Sequence, residues 1–265
     1  MTKFSDLIVE YKNVLEPDKC IDIIKRFEDS PYKSGGQTAD RSPTTAKVST
    51  DLHISSYEAW QDVDEYVFHR FKPHVKEYLS VLENSFNGGV KPTNTRILDS
   101  GYQIQRTKSG EYYRWHTDDE YAAIFDTITH PLDNYSDGRV CGYQRRLFTY
   151  IFYLNQEFSG GRTQFKVGPT DDDIFSVTPE TGKLLCFPAN FLYSHQGEEV
   201  IDGVKYLMTG WVSDFIRYPV FDSSPMSEIW REDYRNQGRD LLVGDSYQTG
   251  TMGAEMPLDA PIIGS

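Results

Sequence analysis

The first third of the chain alternates between two helical patterns and short extended stretches. A short extended run at 7–11 is followed by Pro17, a residue that suits the first turn of a helix. Apolar residues then recur at helical spacing: Cys20, Ile21, Ile24 and Phe27. A loop rich in Gly, Ser, Thr and Pro covers 30–45. A second helical pattern runs over 56–82, where Pro73 predicts a break or a kink.

The pattern changes to β after residue 94. A weak alternation at 47–54 is followed from residue 95 onward by eight short extended runs, separated by turn residues: 96–98, 102–106, 112–118, 147–154, 163–167, 174–177, 183–187 and 205–212. Runs at this spacing predict a mainly β (α+β) protein, a sandwich or barrel with the helices packed outside it. The stretch 119–144 reads as one long irregular insertion, and insertions of that length are usually lids or disordered.

The elements suggest three segments of one domain. Residues 1–94 supply the N-terminal strand and helices, and 95–215 supply the β core. Residues 216–265 supply a C-terminal helix, predicted at 224–242, and a tail.

Composition narrows the class of protein. The 265 residues carry a net charge of −13, which argues against a nucleic-acid partner because phosphate binding needs a basic surface. The three cysteines, Cys20, Cys141 and Cys186, are odd in number and lack CxxC spacing, so we expect no disulfide framework and a reducing compartment. The N-terminus has no apolar leader, and no apolar run is long enough to cross a bilayer. These features predict a cytoplasmic protein without a membrane partner; they leave its oligomeric state open.

Candidate chemistry begins with His116 and Asp118. On an extended segment, residues two apart point to the same face, so the pair supplies two thirds of a 2-His-1-carboxylate metal site. His195, directly after the apolar run 184–188, is the best third ligand. The remaining histidines lack partners at ligand spacing and are interpreted as surface or packing residues: His53, His69, His74 and His130.

Lys205 lies on an otherwise apolar predicted strand. A lysine on such a strand either faces solvent at an edge or needs an anionic partner, because burying an unpaired charge is costly. Its position after the metal-ligand pattern favours a cation that awaits a carboxylate.

Five ordered blocks of residues resemble the Fe(II)- and 2-oxoglutarate-dependent dioxygenases of the prolyl 4-hydroxylase type. The resemblance covers about residues 95–215 and rests on His116 and Asp118; Arg146, Thr149, Tyr153, Leu154 and Asn155; Gly160, Gly161, Thr163 and Phe165; Pro179, Gly182 and Phe187; and His195, Lys205 and Trp211. A set of blocks in this order is far more specific than any one of them.

The resemblance implies a double-stranded β-helix, or jelly roll, with Fe(II) bound by His116, Asp118 and His195. It implies that Lys205 pairs with the distal carboxylate of 2-oxoglutarate, and that O2 and ascorbate serve as further co-reactants. Arg146 matches an arginine linked to substrate handling. Thr107, Tyr113 and Thr149 are the further candidates for contacts to the co-substrate, and Tyr113 is also a candidate wall of the substrate channel.

The implied activity is hydroxylation of a C–H bond with decarboxylation of 2-oxoglutarate to succinate and CO2, with a prolyl residue of a peptide or protein as the first substrate. Two positions depart from the family pattern. Thr107 stands where prolyl hydroxylases carry a co-substrate tyrosine, and Ser213 stands where they often carry histidine or arginine.

These departures leave alternatives open. One is the same chemistry on a free amino acid or small metabolite. Another is a catalytically inactive jelly-roll binding protein, although such a protein would have no need to keep both histidines, Asp118 and Lys205. Nucleobase demethylation is disfavoured by Lys205, where alkylation-repair relatives use arginines, and by the acidic charge.

Overall fold

The computed structural model describes residues 3–36, 46–85, 97–125, 140–170 and 172–217. Helix α1 (Pro17–Asp29) begins at its proline, as predicted, and helix α2 (Gln61–Ser85) follows short 3-10 turns at Ile54–Ser56 and Glu58–Trp60. The strands are β1 (Val9–Tyr11), β2 (Ser34–Gly35), β3 (Thr50–His53), β4 (Ile97–Asp99), β5 (Gln103–Lys108), β6 (Tyr113–His116), β7 (Tyr121–Phe125), β8 (Val140–Tyr153), β9 (Phe158–Gly160), β10 (Thr163–Lys166), β11 (Ile174–Val177), β12 (Leu184–Pro188), β13 (His195–Gly197) and β14 (Val200–Arg217).

The strands form two antiparallel sheets. The large, 10-stranded sheet has the order β1-β12-β8-β14-β5-β3-β2, with β4 and β9 paired to β14 and β7 paired to β8. The small, 4-stranded sheet has the order β11-β10-β13-β6. Aromatic side chains join the two sheets, since the rings of Phe165 on β10 and Phe187 on β12 lie 4.8 Å apart. The metal-ligand candidates His116 and His195 therefore belong to the small sheet, and Lys205 belongs to the large one.

Alternation along β8 assigns the two faces of the large sheet. Phe148, Tyr150 and Phe152 point to helix α2, where Phe71 lies 4.3 Å from the Tyr150 ring and 5.7 Å from the Phe152 ring. The residues between them point the other way, toward the small sheet, as the period of a strand requires. One face of this sheet thus holds the helices, and the opposite face is available to build a site.

The structure corrects several predicted boundaries. The strand predicted at 112–118 ends at His116, so Asp118 lies beyond it, and the strand predicted at 47–54 covers only Thr50–His53. Pro73 does not break α2, which is continuous around it. The helix stays intact because its apolar stripe remains buried on both sides of the proline: Phe71, Val75, Tyr78 and Leu82.

The segment 119–144, predicted to be an irregular insertion, contains a β-strand at each of its two described ends. Strand β7 pairs with the first part of β8, so these ends form two arms of a hairpin-like pair. The middle of the insertion, the predicted C-terminal helix and His130 lie outside the described residues. The division of the chain into segments at residues 94/95 and 215/216 stays a prediction.

Within the part of the chain that the structure describes, no helix has the length and apolar character needed to cross a membrane.

The contact between α2 and the large sheet predicts a strong effect on stability. Phe71 is fully buried between aromatic rings of β8. We therefore expect Phe71→Ala to lower the free energy of unfolding by about 3–5 kcal/mol, through lost burial and the remaining cavity. Urea denaturation checks this, with Ile21→Ala on α1 as the matched control. Ile21 is 48% exposed, so its loss should change stability by less than about 0.5 kcal/mol.

Candidate metal centre

Sheet pairing places the two histidines side by side. His116 ends β6 and His195 begins β13, and the two residues are direct partners across these antiparallel strands. Their ring centroids lie 4.1 Å apart. Partners in such a pair point to the same face, so two imidazoles from distant parts of the sequence meet at one end of the small sheet.

Asp118 completes the cluster from just beyond the end of β6. One carboxylate oxygen, Oδ1, lies 3.8 Å from His116 Nε2, and the other, Oδ2, lies 3.5 Å from His195 Nε2. Thr149 on β8 donates its hydroxyl hydrogen to Asp118 Oδ2 at 2.6 Å. The carboxylate is therefore fixed by the large sheet while it faces both imidazoles of the small sheet.

Backbone carbonyls set the orientation of both imidazoles. His116 Nδ1 lies 2.7 Å from the carbonyl oxygen of Arg114, and His195 Nδ1 lies 3.0 Å from that of Tyr193. A carbonyl only accepts, so each Nδ1 carries a hydrogen, and in the neutral imidazole Nε2 then keeps its lone pair. This is the usual arrangement behind a metal-binding histidine.

The shifted pKa values of His116 and Asp118 favour the protonation states in which these two side chains bind a metal ion. Burial, with the neighbouring His195, lowers the pKa of His116, so its imidazole is neutral at pH 7. Burial alone would raise the pKa of Asp118, but the imidazoles of His195 and His116, the Thr149 hydrogen bond and Arg146 together hold that pKa below its usual value. The His116 imidazole is therefore neutral and the Asp118 carboxylate ionised, the forms in which each can bind a metal ion.

Aromatic rings pack around both imidazoles. The Tyr113 ring stacks on His116 with a centroid distance of 3.6 Å and an angle of 15°. Phe187 meets the His195 ring edge-on at 4.6 Å, and Phe165 lies 5.7 Å from it. These contacts limit the rotation of both imidazoles.

The donor set fits Fe(II). Each of the three side chains offers one ligand atom, and these atoms all lie within 4.8 Å of one another. Two imidazole nitrogens and one carboxylate oxygen on one side of an ion are the facial triad of non-haem iron oxygenases, which leaves coordination positions open for other molecules. Among the described residues, this is the cluster with the composition and spacing of a metal site.

Lys205 lies on the inner face of the large sheet and is 4% exposed. Its Nζ donates to the carbonyl oxygen of Gly161 at 2.6 Å and lies 5.8 Å from the centre of the Tyr153 ring. Desolvation lowers its pKa to about 8, an effect that the charge of Glu198 partly opposes. Among the described residues, no carboxylate oxygen lies within ion-pair distance of Nζ. A buried ammonium without a carboxylate partner fits an anionic ligand.

Two neighbours define the surroundings of this ammonium. Thr107 on β5 is the direct partner of Lys205 across the large sheet, so its side chain lies on the same face. Gly161 has a φ of +65°, and a Cβ atom there would lie 2.9 Å from the Phe158 ring and 3.3 Å from Lys205 Cδ. The backbone can approach Lys205 this closely because residue 161 is glycine.

Arg146 is near the triad but engaged by other groups. Its guanidinium lies 3.6 Å from the centre of the Trp211 ring and forms an ion pair with Glu120. The charge of Arg146 also contributes to the lowered pKa of Asp118. Ser213 is the strand partner of Arg146 and is buried.

Sequence reasoning named the residues of this centre but missed several of their partners. It assigned no role to Glu120, to Glu198 or to the carbonyl of Gly161. It also gave no role to Phe165 and Phe187, although both stand in the motif blocks. No pattern in the sequence pairs Glu120 with Arg146, because the contact depends on the bend that follows β6.

Comparison with known proteins agrees with this geometry. Residues 102–213 match the family model of the 2OG-Fe(II) oxygenase superfamily. The sequence has no match among curated proteins.

Three prolyl hydroxylases are among the solved structures that this chain matches. A prolyl hydroxylase from Trichoplax adhaerens, in complex with a hypoxia-inducible-factor peptide fragment, has a TM-score of 0.54 at 16% identity over 79% of this chain and 84% of that one. A collagen prolyl hydroxylase of Paramecium bursaria Chlorella virus-1 has a TM-score of 0.47 at 16% identity over 78% and 96%. A Pseudomonas putida prolyl-4-hydroxylase has a TM-score of 0.45 at 14% identity over 80% and 92%. The predicted mainly β, jelly-roll fold is confirmed.

Proposed function

We propose, from the match of residues 102–213 to the 2OG-Fe(II) oxygenase superfamily, that the chain hydroxylates a C–H bond of a prolyl residue in a peptide or protein. Its cofactor is Fe(II), and its co-substrates are 2-oxoglutarate and O2. The observation that carries the proposal is the meeting of three metal-ligand side chains and one buried, carboxylate-free lysine on the facing sides of two sheets.

We assign the residues as follows. His116, Asp118 and His195 hold the iron through Nε2, a carboxylate oxygen and Nε2. Lys205 holds the distal carboxylate of 2-oxoglutarate, and Thr107 beside it offers a hydroxyl to the same group. Bound there, iron and keto acid supply the oxidising chemistry, with decarboxylation of the co-substrate to succinate and CO2.

The remaining residues orient the metal ligands or shield the centre from water. Thr149 fixes the Asp118 carboxylate by its hydrogen bond, and the Arg114 and Tyr193 carbonyls keep both Nε2 lone pairs directed inward. Phe165 and Phe187 keep water away from the His195 side of the centre. Arg146, whose guanidinium lies 3.6 Å from the centre of the Trp211 ring, offers N–H donors near the triad to a carbonyl oxygen of a peptide substrate.

Mass spectrometry of reaction products tests the substrate. Proline-rich peptides incubated with the protein, Fe(II), 2-oxoglutarate, ascorbate and O2 should gain 16 Da, the mass of one oxygen atom, on proline. Succinate should form in equal amount. Absence of a peptide product, together with turnover of a free amino acid, would contradict the peptidyl substrate and leave the oxygenase chemistry standing.

The pair of Arg146 and Glu120 favours a second candidate, a free amino acid. A cation and an anion lie together near Asp118, and a free amino acid offers the complementary carboxylate and ammonium groups. On this reading Glu120→Gln abolishes turnover of the free amino acid by removing the partner of its ammonium group. A capped prolyl peptide has no such group, so its turnover should change little.

The low pKa of Lys205 predicts how 2-oxoglutarate affinity depends on pH. Below pH 8 the side chain is protonated and the affinity is full. Above its folded-state pKa of about 8, the free protein must take up a proton to bind the anion, so the affinity should fall by up to about tenfold per pH unit. Anaerobic calorimetry between pH 7 and 9.5 measures this. Pyruvate, which lacks the distal carboxylate, is the matched control and should show no such fall above pH 8.

A further inference from the structure

A buried ion pair lies next to the metal centre and belongs to none of the roles assigned above. Lys47 is 3% exposed and Asp51 is 2% exposed, and Lys47 Nζ lies 2.6 Å from Asp51 Oδ2. Two further donors hold the carboxylate: the hydroxyl of Ser49 at 2.7 Å on Oδ1 and the amide of Gln103 at 2.7 Å on Oδ2. The Asp51 carboxylate is therefore fixed from three sides.

The pair spans the two sheets. Lys47 forms a β-bridge with Tyr113 of β6, beside backbone hydrogen bonds from Val48 to Tyr112 and from Arg114 to Ala46, so it lies along the small sheet. Asp51 lies in β3 of the large sheet. The ion pair thus joins the sheets at the strand that ends in His116.

Lys47 reaches the metal centre through one aromatic ring. Its Nζ lies 5.2 Å from the centre of the Tyr113 ring, a cation–π distance. That ring stacks on the His116 imidazole at 3.6 Å with only 15° between the planes. A continuous chain of contacts therefore runs from Asp51 through Lys47 and Tyr113 to His116.

Stability alone is a weak reason for this pair. A buried ion pair can often be replaced by apolar residues of similar volume without loss of stability, because desolvation of the two charges offsets their attraction. An apolar pair, however, would place no cation near the Tyr113 ring and would have no directional bonds to Ser49 and Gln103. The position of the Lys47 and Asp51 charges therefore suggests that they orient the Tyr113 ring and that this ring in turn orients the His116 imidazole.

We propose that Lys47 and Asp51 are positioning residues for the first metal ligand, acting through Tyr113. The Arg114 carbonyl fixes which nitrogen of His116 carries hydrogen, whereas the stacked ring fixes the plane in which the imidazole lies. Both are needed for Nε2 to point at Asp118. The inference rests on the proposed metal site, but it does not depend on which substrate is oxidised.

Titration of Co(II) into the protein without keto acid tests the inference. The uncharged double variant Lys47→Met/Asp51→Asn keeps the volume and the acceptor for Gln103. We expect its Co(II) dissociation constant to rise about 10- to 100-fold, the usual effect of removing outer-shell support. The visible absorption of bound Co(II) at saturation should also change, since it reports the geometry of the ligands.

Tyr113 gives an independent arm. Tyr113→Leu removes the stacked ring and should weaken Co(II) binding to a similar extent, whereas Tyr113→Phe keeps the ring and should bind within about threefold of wild type. This arm tests whether the ring connects the ion pair to His116, so wild-type affinity in Tyr113→Leu would overturn the inference even if the double variant does not fold.

A second ion pair, between a buried lysine and a partly exposed glutamate, supplies the control. Lys183, 2% exposed, pairs with Glu10 at 2.7 Å, and its contacts lie on β1 and the turn before β12 rather than at the triad. Lys183→Met/Glu10→Gln should lower the melting temperature without changing Co(II) affinity. Wild-type Co(II) affinity in either the Lys47/Asp51 double variant or Tyr113→Leu would overturn the inference and leave the proposed function standing. Failure of the wild-type protein to bind Co(II) or Fe(II) would overturn the proposed function as well.

Discussion

His116→Ala should lower turnover by on the order of 10³-fold or more, the largest effect that we expect of any single substitution. It removes one of three metal ligands and leaves Asp118 and His195 facing an incomplete site. A factor of 10³ corresponds to about 4 kcal/mol of lost transition-state stabilisation. Because the metal orients the co-substrate as well as activating it, we expect the loss in turnover to accompany a loss of metal binding.

Anaerobic titration of Fe(II) in the presence of 2-oxoglutarate measures the binding part of this effect. The wild-type protein should develop the weak visible absorption of a keto acid chelated to Fe(II), and His116→Ala should not. His69→Ala is the control, since His69 is half exposed and near Glu65 on α2, away from the centre. Equal absorption and equal turnover in His116→Ala and wild type would refute the iron site.

Sequence reasoning predicted the members of the centre for a reason that was only partly correct. His116 and Asp118 were expected on one face of a continuous strand, but the strand ends at His116. Asp118 reaches the imidazoles through the bend after the strand, where the Thr149 hydroxyl holds it. The spacing of two residues therefore indicated the correct pair, while the contact that places Asp118 comes from a strand distant in sequence.

The long strands of the large sheet show why element boundaries were harder to predict. Strand β14 runs from Val200 to Arg217, yet only 205–212 has a β-like pattern. Asp214 is fully buried and paired with Arg145 at 3.2 Å. In the sequence a charged residue such as Asp214 suggests an exposed loop, because its partner on the neighbouring strand becomes apparent only in the fold.

Lys205→Met should weaken 2-oxoglutarate binding by about 2–4 kcal/mol, since the distal carboxylate would lose its cation in a buried setting. This corresponds to roughly 30- to 1,000-fold in the dissociation constant. Anaerobic calorimetry with the Fe(II)-loaded protein measures it. Lys183→Met, another buried lysine, should leave this affinity unchanged, and pyruvate should bind Lys205→Met as well as it binds wild type. A change below tenfold for 2-oxoglutarate would contradict the assignment of Lys205.

The same substitution should not destabilise the protein, which separates a binding role from a structural one. Burial lowers the Lys205 pKa from 10.5 to about 8, a cost of roughly 3 kcal/mol to the folded state at pH 7. Methionine removes that cost but leaves the Gly161 carbonyl without its donor, a loss of about 1–3 kcal/mol. The free energy of unfolding should therefore be equal to or higher than that of wild type by up to about 2 kcal/mol.

The pH dependence of stability gives this prediction a definite sign. Because the unfolded state holds the Lys205 proton more tightly than the folded state, wild-type stability gains a contribution as pH rises from about 8 toward 10.5. Lys205→Met lacks this contribution, so the difference in unfolding free energy between the two proteins should shrink over that range. If Lys205 served only to stabilise the fold, Lys205→Met would instead have a lower free energy of unfolding than wild type at every pH. Lower stability of Lys205→Met at pH 7, with unchanged 2-oxoglutarate affinity, would identify Lys205 as a structural residue.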